Sequence, residues 1–132
     1  MSYRFTFLRH GASTGNLQKV VQGQQDFPIS ETGIEQTEKL AARWRSQGRR
    51  FDKIISSPLS RTRQTARIIQ EHIPAPLCED PLWLERHAGE LEGTPYQSTR
   101  KEPRFPRIKP VSYTHLRAHE TVLDLVCRLL LE

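Results

Sequence analysis

The sequence predicts an α/β fold, a three-layer α/β/α arrangement around a mostly parallel sheet. Three short apolar segments are typical of strands: Phe5–Leu8, Phe51–Ser56 and Leu77–Cys78. Two longer segments with helical periodicity separate them. Strands that alternate with helices favour parallel pairing, with helices covering the sheet.

The first helix is predicted between the first two strands. Thr32 and Glu35 match a capping box at its start, and Gly48 supplies a stop. One face of this helix repeats at helical spacing and is expected to be buried; it comprises Ile34, Thr37, Ala41 and Trp44.

The second helix is predicted to follow the second strand directly. Ser57 is placed to cap it, with Pro58 at its first position and Glu71 near its end. Its expected buried side comprises Thr62, Ala66 and Ile69. Residues 94–110 are rich in proline and basic side chains, which predicts a loop with at most one helical turn.

Residues 111–132 contain two patterns that ordinarily indicate a helix and a metal site. Their apolar residues from Val122 to Leu130 have the spacing of an amphipathic helix, and His115 and His119 have the spacing of metal ligands on a helix. However, Val111 to Thr121 and Leu125 to Glu132 back-translate to DNA that resembles the two ends of a sequencing-library adapter. We therefore interpret 1–110 as the N-terminal part of a native domain and 111–132 as a non-native tail, and give the helix and histidine patterns no weight.

Composition and charge indicate which ligands and which compartment to expect. Residues 1–110 carry 18 Lys and Arg against 12 Asp and Glu, a net charge of +6 that suits an anionic substrate. The basic residues are not interleaved with aromatic ones as in a nucleic-acid module, so no nucleic acid is expected. Neither a secretory leader nor a spanning apolar segment is present, so no membrane is expected. Cys78 is the single cysteine before residue 111, which favours a reducing cytoplasm.

The first strand leads into Arg9-His10-Gly11, where ligands of open α/β sheets bind. A neutral imidazole can attack phosphorus, and a guanidinium binds phosphate oxygens with two parallel hydrogen bonds. Ser13 and Asn16 follow in a loop of small residues whose donors can surround an anion.

Three further segments accompany this motif. A turn-rich stretch begins at Gln22 and Gly23, Arg61 lies in the first turn after Ser57-Pro58, and Glu85 precedes a glycine-containing turn. A helix N-terminus beside a guanidinium is favourable for an anion. Glu79, Glu90 and Glu92 are expected to be solvated, and His72 and His87 to take no part in chemistry.

These four blocks, within residues 3 to 95, resemble the histidine phosphatase superfamily, which includes phosphoglycerate mutases and broad phosphatases. The resemblance implies a phosphoglycerate mutase-like fold, incomplete at the C-terminus, and phosphoryl transfer through a phosphohistidine on His10. It implies catalytic roles for His10 and Glu85 and phosphate binding by Arg9, Arg61, Asn16, Ser13 and Gly11, with Gln22 and Gly23 in a possible substrate loop. It implies no metal and no cofactor.

The resemblance leaves three functions open. Phosphomonoester hydrolysis is favoured over mutase-type transfer, because Ala12, Gly15, Ala88 and Tyr96 depart from the mutase pattern. A non-catalytic anion-binding relative is the third. The family's second histidine, late in its sequences, has no counterpart before residue 111, so the 132-residue chain is expected to be inactive. It is also expected to be poorly stable, because a parallel sheet cut after its third predicted strand leaves an open apolar edge. The expected partner is a small phosphorylated substrate; its identity and the oligomeric state do not follow from the sequence.

Overall fold

The structure, a computed structural model, describes residues 2–99 and 125–131. Its elements, in chain order, are β1 (Arg4–Arg9), α1 (Thr14–Gln18), α2 (Glu31–Ser46), β2 (Lys53–Ser56), α3 (Ser60–His72), β3 (Leu77–Glu79), α4 (Tyr96–Thr99) and β4 (Leu125–Leu131). Two 3₁₀ turns, Pro81–Trp83 and Gly89–Leu91, lie between β3 and α4. The predicted α/β alternation is confirmed.

The sheet has the strand order β1-β4-β2-β3. β2 and β3 are parallel, while β4 runs antiparallel to both β1 and β2. β1, β2 and β3 therefore share one direction, as predicted, and β4 opposes them.

β4 lies in the segment interpreted above as a tail. It is a strand, whereas the spacing of its apolar residues is typical of a helix. Pairing with β1 on one side and β2 on the other satisfies its backbone groups along both edges, and this outweighs the helical periodicity. His115 and His119 lie outside the described residues.

The core lies on one face of the sheet. Leu8, Ile54 and Leu77, one from each of the first three strands, point to the face on which α2 and α3 pack. The helices supply Ala41, Trp44, Ala66 and Ile69, and Phe51 and Ile73 complete the cluster. α2 and α3 thus form one of the two expected helical layers.

The opposite face of β1 carries an aromatic row. Phe5 and Phe7 alternate with core-facing Leu8, as the period of two requires, and their ring centroids lie 6.4 Å apart. Tyr3 packs with a tilted ring against Phe5 at one end of the row, and Trp83 packs in the same way against Phe7 at the other. Phe5 and Phe7 are 39% and 49% exposed, so this face of β1 is open in the described part of the chain.

α2 begins one residue before the predicted Thr32, and its cap differs from the prediction. Ser30 is the N-cap, and its hydroxyl accepts from the Gly33 N–H at 3.1 Å; the predicted Thr32–Glu35 box is wrong. Thr37, Ala41 and Trp44 are buried as predicted, but Ile34 is 41% exposed and Gly33 is buried instead. The helix ends at Ser46, and Gly48 follows with φ +69° as a stop.

α3 begins at Ser60, later than predicted. Leu59 is its N-cap and makes no side-chain cap, so the prediction that Ser57 caps the helix is wrong. Ser57 instead hydrogen-bonds through its hydroxyl to that of Thr62 at 2.8 Å. Thr62, Ala66 and Ile69 are buried as predicted.

The fold also contains two short helices. The loop predicted after His10 contains α1, a five-residue helix. α4 is a helical turn within the segment 94–110, as anticipated, and residues 100–110 of that segment lie outside the described residues. Among the described residues no helix is long and apolar enough to cross a membrane.

The core assignment predicts unequal costs for two isoleucines. Ile69 is fully buried, so Ile69→Ala should lower the free energy of unfolding by about 2–5 kcal/mol. Ile34→Ala, on the exposed side of α2, should change it by only about 0.5 kcal/mol. Urea unfolding of the two variants beside the unmodified chain measures this; equal losses would contradict the core described here.

Candidate active site

His10 follows the last residue of β1, at the carboxyl end of the strand. The pairing of β1 with β4 shifts register between Leu8 and Arg9, and such irregularities redirect the side chains beside them. The imidazole is buried, 5% exposed, and its Nδ1 lies 2.6 Å from the Gly11 carbonyl oxygen. A carbonyl only accepts, so Nδ1 carries the proton and a neutral ring has its lone pair on Nε2.

Gly11 allows the chain after His10 to pack closely against α2. A Cβ at Gly11 would lie 2.5 Å from the Gly33 carbonyl oxygen, which no side chain tolerates. The Gly11 N–H donates to the Thr65 hydroxyl at 3.1 Å, and that hydroxyl donates to the Arg61 carbonyl at 2.7 Å. His10 is therefore tied to the first turns of α3.

Arg9 lies at the exposed rim of the site. With His10 and Gly11 it lines a shallow cavity of about 120 Å³, closed on the other side by Gln36 and Thr37 of α2.

Ser13 and Asn16 form a reciprocal capping box at the start of α1. The Ser13 hydroxyl accepts from the Asn16 N–H at 3.1 Å, and the Asn16 amide oxygen accepts from the Ser13 N–H at 2.9 Å. The Ser13 hydroxyl also contacts the side-chain oxygen of Gln22, which is itself buried. The structure gives Ser13, which is 0% exposed, a packing role that the sequence did not suggest.

Arg61 lies in the first turn of α3, as predicted, but it is completely buried. Its two terminal nitrogens donate to backbone carbonyls, Nη2 to Gly23 at 2.7 Å and Nη1 to Gln25 at 2.9 Å. The guanidinium plane is therefore fixed by the predicted substrate loop.

The first turns of α3 hold this loop at two more points. Asp26 accepts from the backbone N–H and the hydroxyl of Ser60, both at 2.7 Å, and so caps a helix whose own N-cap residue cannot. The Gln64 side chain accepts from the Ile29 N–H at 2.8 Å. Sequence reasoning missed both side chains, because each acts on a partner 34 or 35 positions away.

Glu85 lies on the other side of the loop and is half-buried. Its carboxylate accepts from the Arg86 N–H at 2.9 Å, and its carbonyl accepts from the Gln24 side-chain amide at 3.0 Å. The structure thus places Glu85 against the same loop that contacts Arg61.

Glu92 corrects a prediction. Expected to be solvated, its side chain is only 16% exposed, and one oxygen accepts from the N–H groups of Gln24 at 2.9 Å and Ala88 at 3.1 Å. Burial acts to raise the pKa of Glu92. The two backbone donors, with His87 and Arg61 nearby, outweigh burial and hold the pKa below its ordinary value of 4.5.

The residues expected to stay outside the chemistry have other partners. His72 pairs with Glu38 of α2 at 2.5 Å, and Glu79 pairs with Arg63 at 2.7 Å. His87 is 62% exposed. In residues 2–99 and 125–131 no three metal-ligating side chains cluster.

Comparison with known proteins decides the family. The model of the histidine phosphatase superfamily, branch 1, matches residues 5–130. The chain belongs to this superfamily. Proteins described as probable phosphoglycerate mutase GpmB, from Yersinia pestis and Yersinia pseudotuberculosis, are 41% identical over 107 residues. That alignment covers 81% of this chain and 49% of theirs, so the chain spans about half the length of these relatives.

Solved structures of other phosphatases share the fold. A mycobacterial glucosyl-3-phosphoglycerate phosphatase in complex with VO3 has a TM-score of 0.68 at 26% identity, over 81% of this chain and 52% of that one. A phosphoserine phosphatase from Entamoeba histolytica, in complex with 3-phosphoglyceric acid, has a TM-score of 0.63 at 28% identity, over 78% and 49%. These neighbours confirm the phosphoglycerate mutase-like α/β fold.

The lowered pKa of Glu92 predicts that the stability of the fold depends on pH. Its folded-state pKa is lowered, so the carboxylate stabilises the fold above pH 4.5, and this contribution is lost as pH falls through the lowered pKa. Glu92→Gln removes the charge and should melt at a lower temperature than the unmodified chain at neutral pH.

Thermal unfolding from pH 7 down to strongly acidic pH measures this. The two melting temperatures should converge as Glu92 protonates. Glu90→Gln, an exposed carboxylate two positions away, is the control and should show little difference at any pH. A Glu92→Gln difference that stays constant with pH would contradict the assignment.

Proposed function

We propose that the parent protein, in which native sequence follows residues 1–110, hydrolyses phosphomonoesters through a phosphohistidine on His10. The observation that carries this proposal is the 2.6 Å contact between His10 Nδ1 and the Gly11 carbonyl. It holds the imidazole in the tautomer whose Nε2 lone pair can attack phosphorus, at the end of the strand where ligands of α/β sheets bind.

The proposed reaction has two steps. Nε2 of His10 attacks the phosphorus in line, the bond from phosphorus to the ester oxygen breaks, and Glu85 gives a proton to the departing alcohol. Water then attacks phosphohistidine, with Glu85 taking its proton, and inorganic phosphate leaves. Neither step uses a metal or a cofactor.

In this proposal cations stabilise the charge on the transferring phosphoryl group. Arg61 is presented with a fixed plane, because the carbonyls of Gly23 and Gln25 orient it. Arg9 at the rim adds a second guanidinium. The backbone of Gly11 and the side chains of Ser13 and Asn16 complete the proposed phosphate site, with Gln22 and Gly23 in the substrate loop. Phosphoryl transfer depends chiefly on such positioning and charge stabilisation.

Mutase-type transfer is the second candidate, supported by relatives described as probable phosphoglycerate mutases. The space beside Gly15 favours hydrolysis, because a Cβ there would lie 2.7 Å from the buried Gln22 side chain. The tryptophan that the mutase pattern has at this position would not fit without moving Gln22. The non-catalytic anion-binding relative is the third candidate.

The expected substrate is a small phosphorylated molecule. Two structural neighbours are described as phosphatases of glucosyl-3-phosphoglycerate and of phosphoserine, which supports this class. We place the parent protein in the cytoplasm, in keeping with the unpaired Cys78 thiol. We also propose that residues 111–132 are non-native and that the 132-residue chain lacks turnover.

The first experiment tests the phosphohistidine. Brief incubation of the parent protein with a ³²P-labelled phosphomonoester, followed by alkaline quench, should give an acid-labile label on His10. His10→Ala should abolish both label and phosphate release, whereas His72→Ala, a histidine paired with Glu38, should keep both.

Three outcomes separate the candidates. Label on another residue, or turnover without label, would contradict the mechanism. Isomerisation of 3-phosphoglycerate without net release of phosphate would favour the mutase. The 132-residue chain, run in parallel, should give no phosphate above background; turnover there would contradict the proposal for residues 111–132.

The second experiment tests Arg61. Arg61→Lys keeps the charge but cannot donate to the Gly23 and Gln25 carbonyls with a planar fork, so kcat/KM should fall about tenfold or more. Arg67→Lys, on an exposed position of the same helix, is the matched control and should leave kcat/KM unchanged. Equal kinetics for the two variants would show that Arg61 serves only packing.

A further inference from the structure

Glu92 takes no part in the proposed chemistry, yet it contacts the loop that orients Arg61. Its carboxylate accepts from the Gln24 N–H, and Arg61 Nη2 donates to the Gly23 carbonyl at 2.7 Å. That N–H and that carbonyl belong to one peptide unit, the planar group joining Gly23 to Gln24. Glu92 and Arg61 therefore bind the two opposite ends of the same peptide dipole.

Four groups are therefore linked in series: the Glu92 carboxylate, the Gln24 N–H, the Gly23 carbonyl and the Arg61 guanidinium. Because the peptide unit is rigid, fixing its N–H fixes the direction of its carbonyl. A negative charge at the N–H end also polarises the unit and strengthens the carbonyl as an acceptor. The carboxylate thus acts on the guanidinium without touching it.

Gly23 is the residue that admits this contact. Its φ is +51°, and a Cβ at this position would collide with the Glu92 carboxylate oxygen. The second bond of the same oxygen, from the Ala88 N–H, ties the loop to the segment after Glu85.

We propose that Glu92 is a positioning residue that holds the Arg61 guanidinium in its oxyanion-binding orientation through the Gly23–Gln24 peptide unit. Only the oxyanion role of Arg61 rests on the function proposed above. The positioning itself is a property of the chain and is measurable without turnover.

Three variants separate geometry from charge. Glu92→Ala removes both the acceptor and the charge. Glu92→Gln keeps an oxygen of the same reach but loses the charge, and so should partly rescue the contact. Glu90→Ala, on the same 3₁₀ turn segment but exposed, is the matched control.

The experiment uses the 132-residue chain and two readouts. NMR follows the hydrogen exchange of the Gln24 amide and the Nε–H signal of Arg61, and titration with orthovanadate measures oxyanion affinity. Glu92→Ala should speed Gln24 exchange and shift the Arg61 signal, and should weaken vanadate binding by about tenfold. Glu92→Gln should give changes of the same kind but smaller, and Glu90→Ala none.

Each result decides a separate point. An unmoved Arg61 signal in Glu92→Ala, or in Glu92→Gln if the alanine variant does not fold, would overturn the positioning role. If the unmodified chain binds vanadate, an Arg61 signal that shifts while every variant keeps the same vanadate affinity would also overturn it. If the Arg61 signal shifts but the unmodified chain binds no vanadate, positioning stands and the oxyanion role of Arg61 in this chain fails.

Discussion

The buried guanidinium of Arg61 is the constraint on which the site depends. A charge removed from water is costly unless polar groups replace its hydration. Here the replacement comes from the carbonyls of Gly23 and Gln25, in a loop without regular structure. α3 can bury Arg61 only when that loop is in place, so the helix and the loop must form together.

This mutual dependence explains why so many side chains secure one short loop. Asp26 binds the first turn of α3, Gln64 binds the end of the loop, and Glu92 approaches from the segment after β3. Just before the loop, the backbone of Val21 forms hydrogen bonds with the backbone of Gly93 and Thr94. Each contact restricts the loop already in the folded protein. The loop therefore loses less conformational entropy when a ligand binds, because most of that entropy is lost during folding.

Features that depend on residues close together in the sequence were predicted correctly. The structure confirms the strand before His10 and the buried side of α3, which follow from the spacing of apolar residues. It also confirms Gly48 as the stop after α2, which follows from turn chemistry. The cap of α2 was predicted two residues too late, at Thr32 instead of Ser30. The cap of α3 was predicted wrongly because a distant residue competes: Asp26, 34 positions from Ser60, does what Ser57 was expected to do. The burial of Glu92 was missed for the same reason, because it depends on the docking of the loop at Gln24.

β4 fills a gap between β1 and β2. These strands do not pair with each other, and the strand between them satisfies the facing backbone edges of both. Backbone hydrogen bonds are indifferent to side chains, so an extended apolar segment from many sources can occupy such a gap. The occupant also contacts the chain just before His10, because the register shifts between Leu8 and Arg9 and Arg9 lies opposite Leu125. The residue before His10 is therefore paired with a strand far from it in sequence, just as the loop that contacts Arg61 is also bound by the distant Glu92.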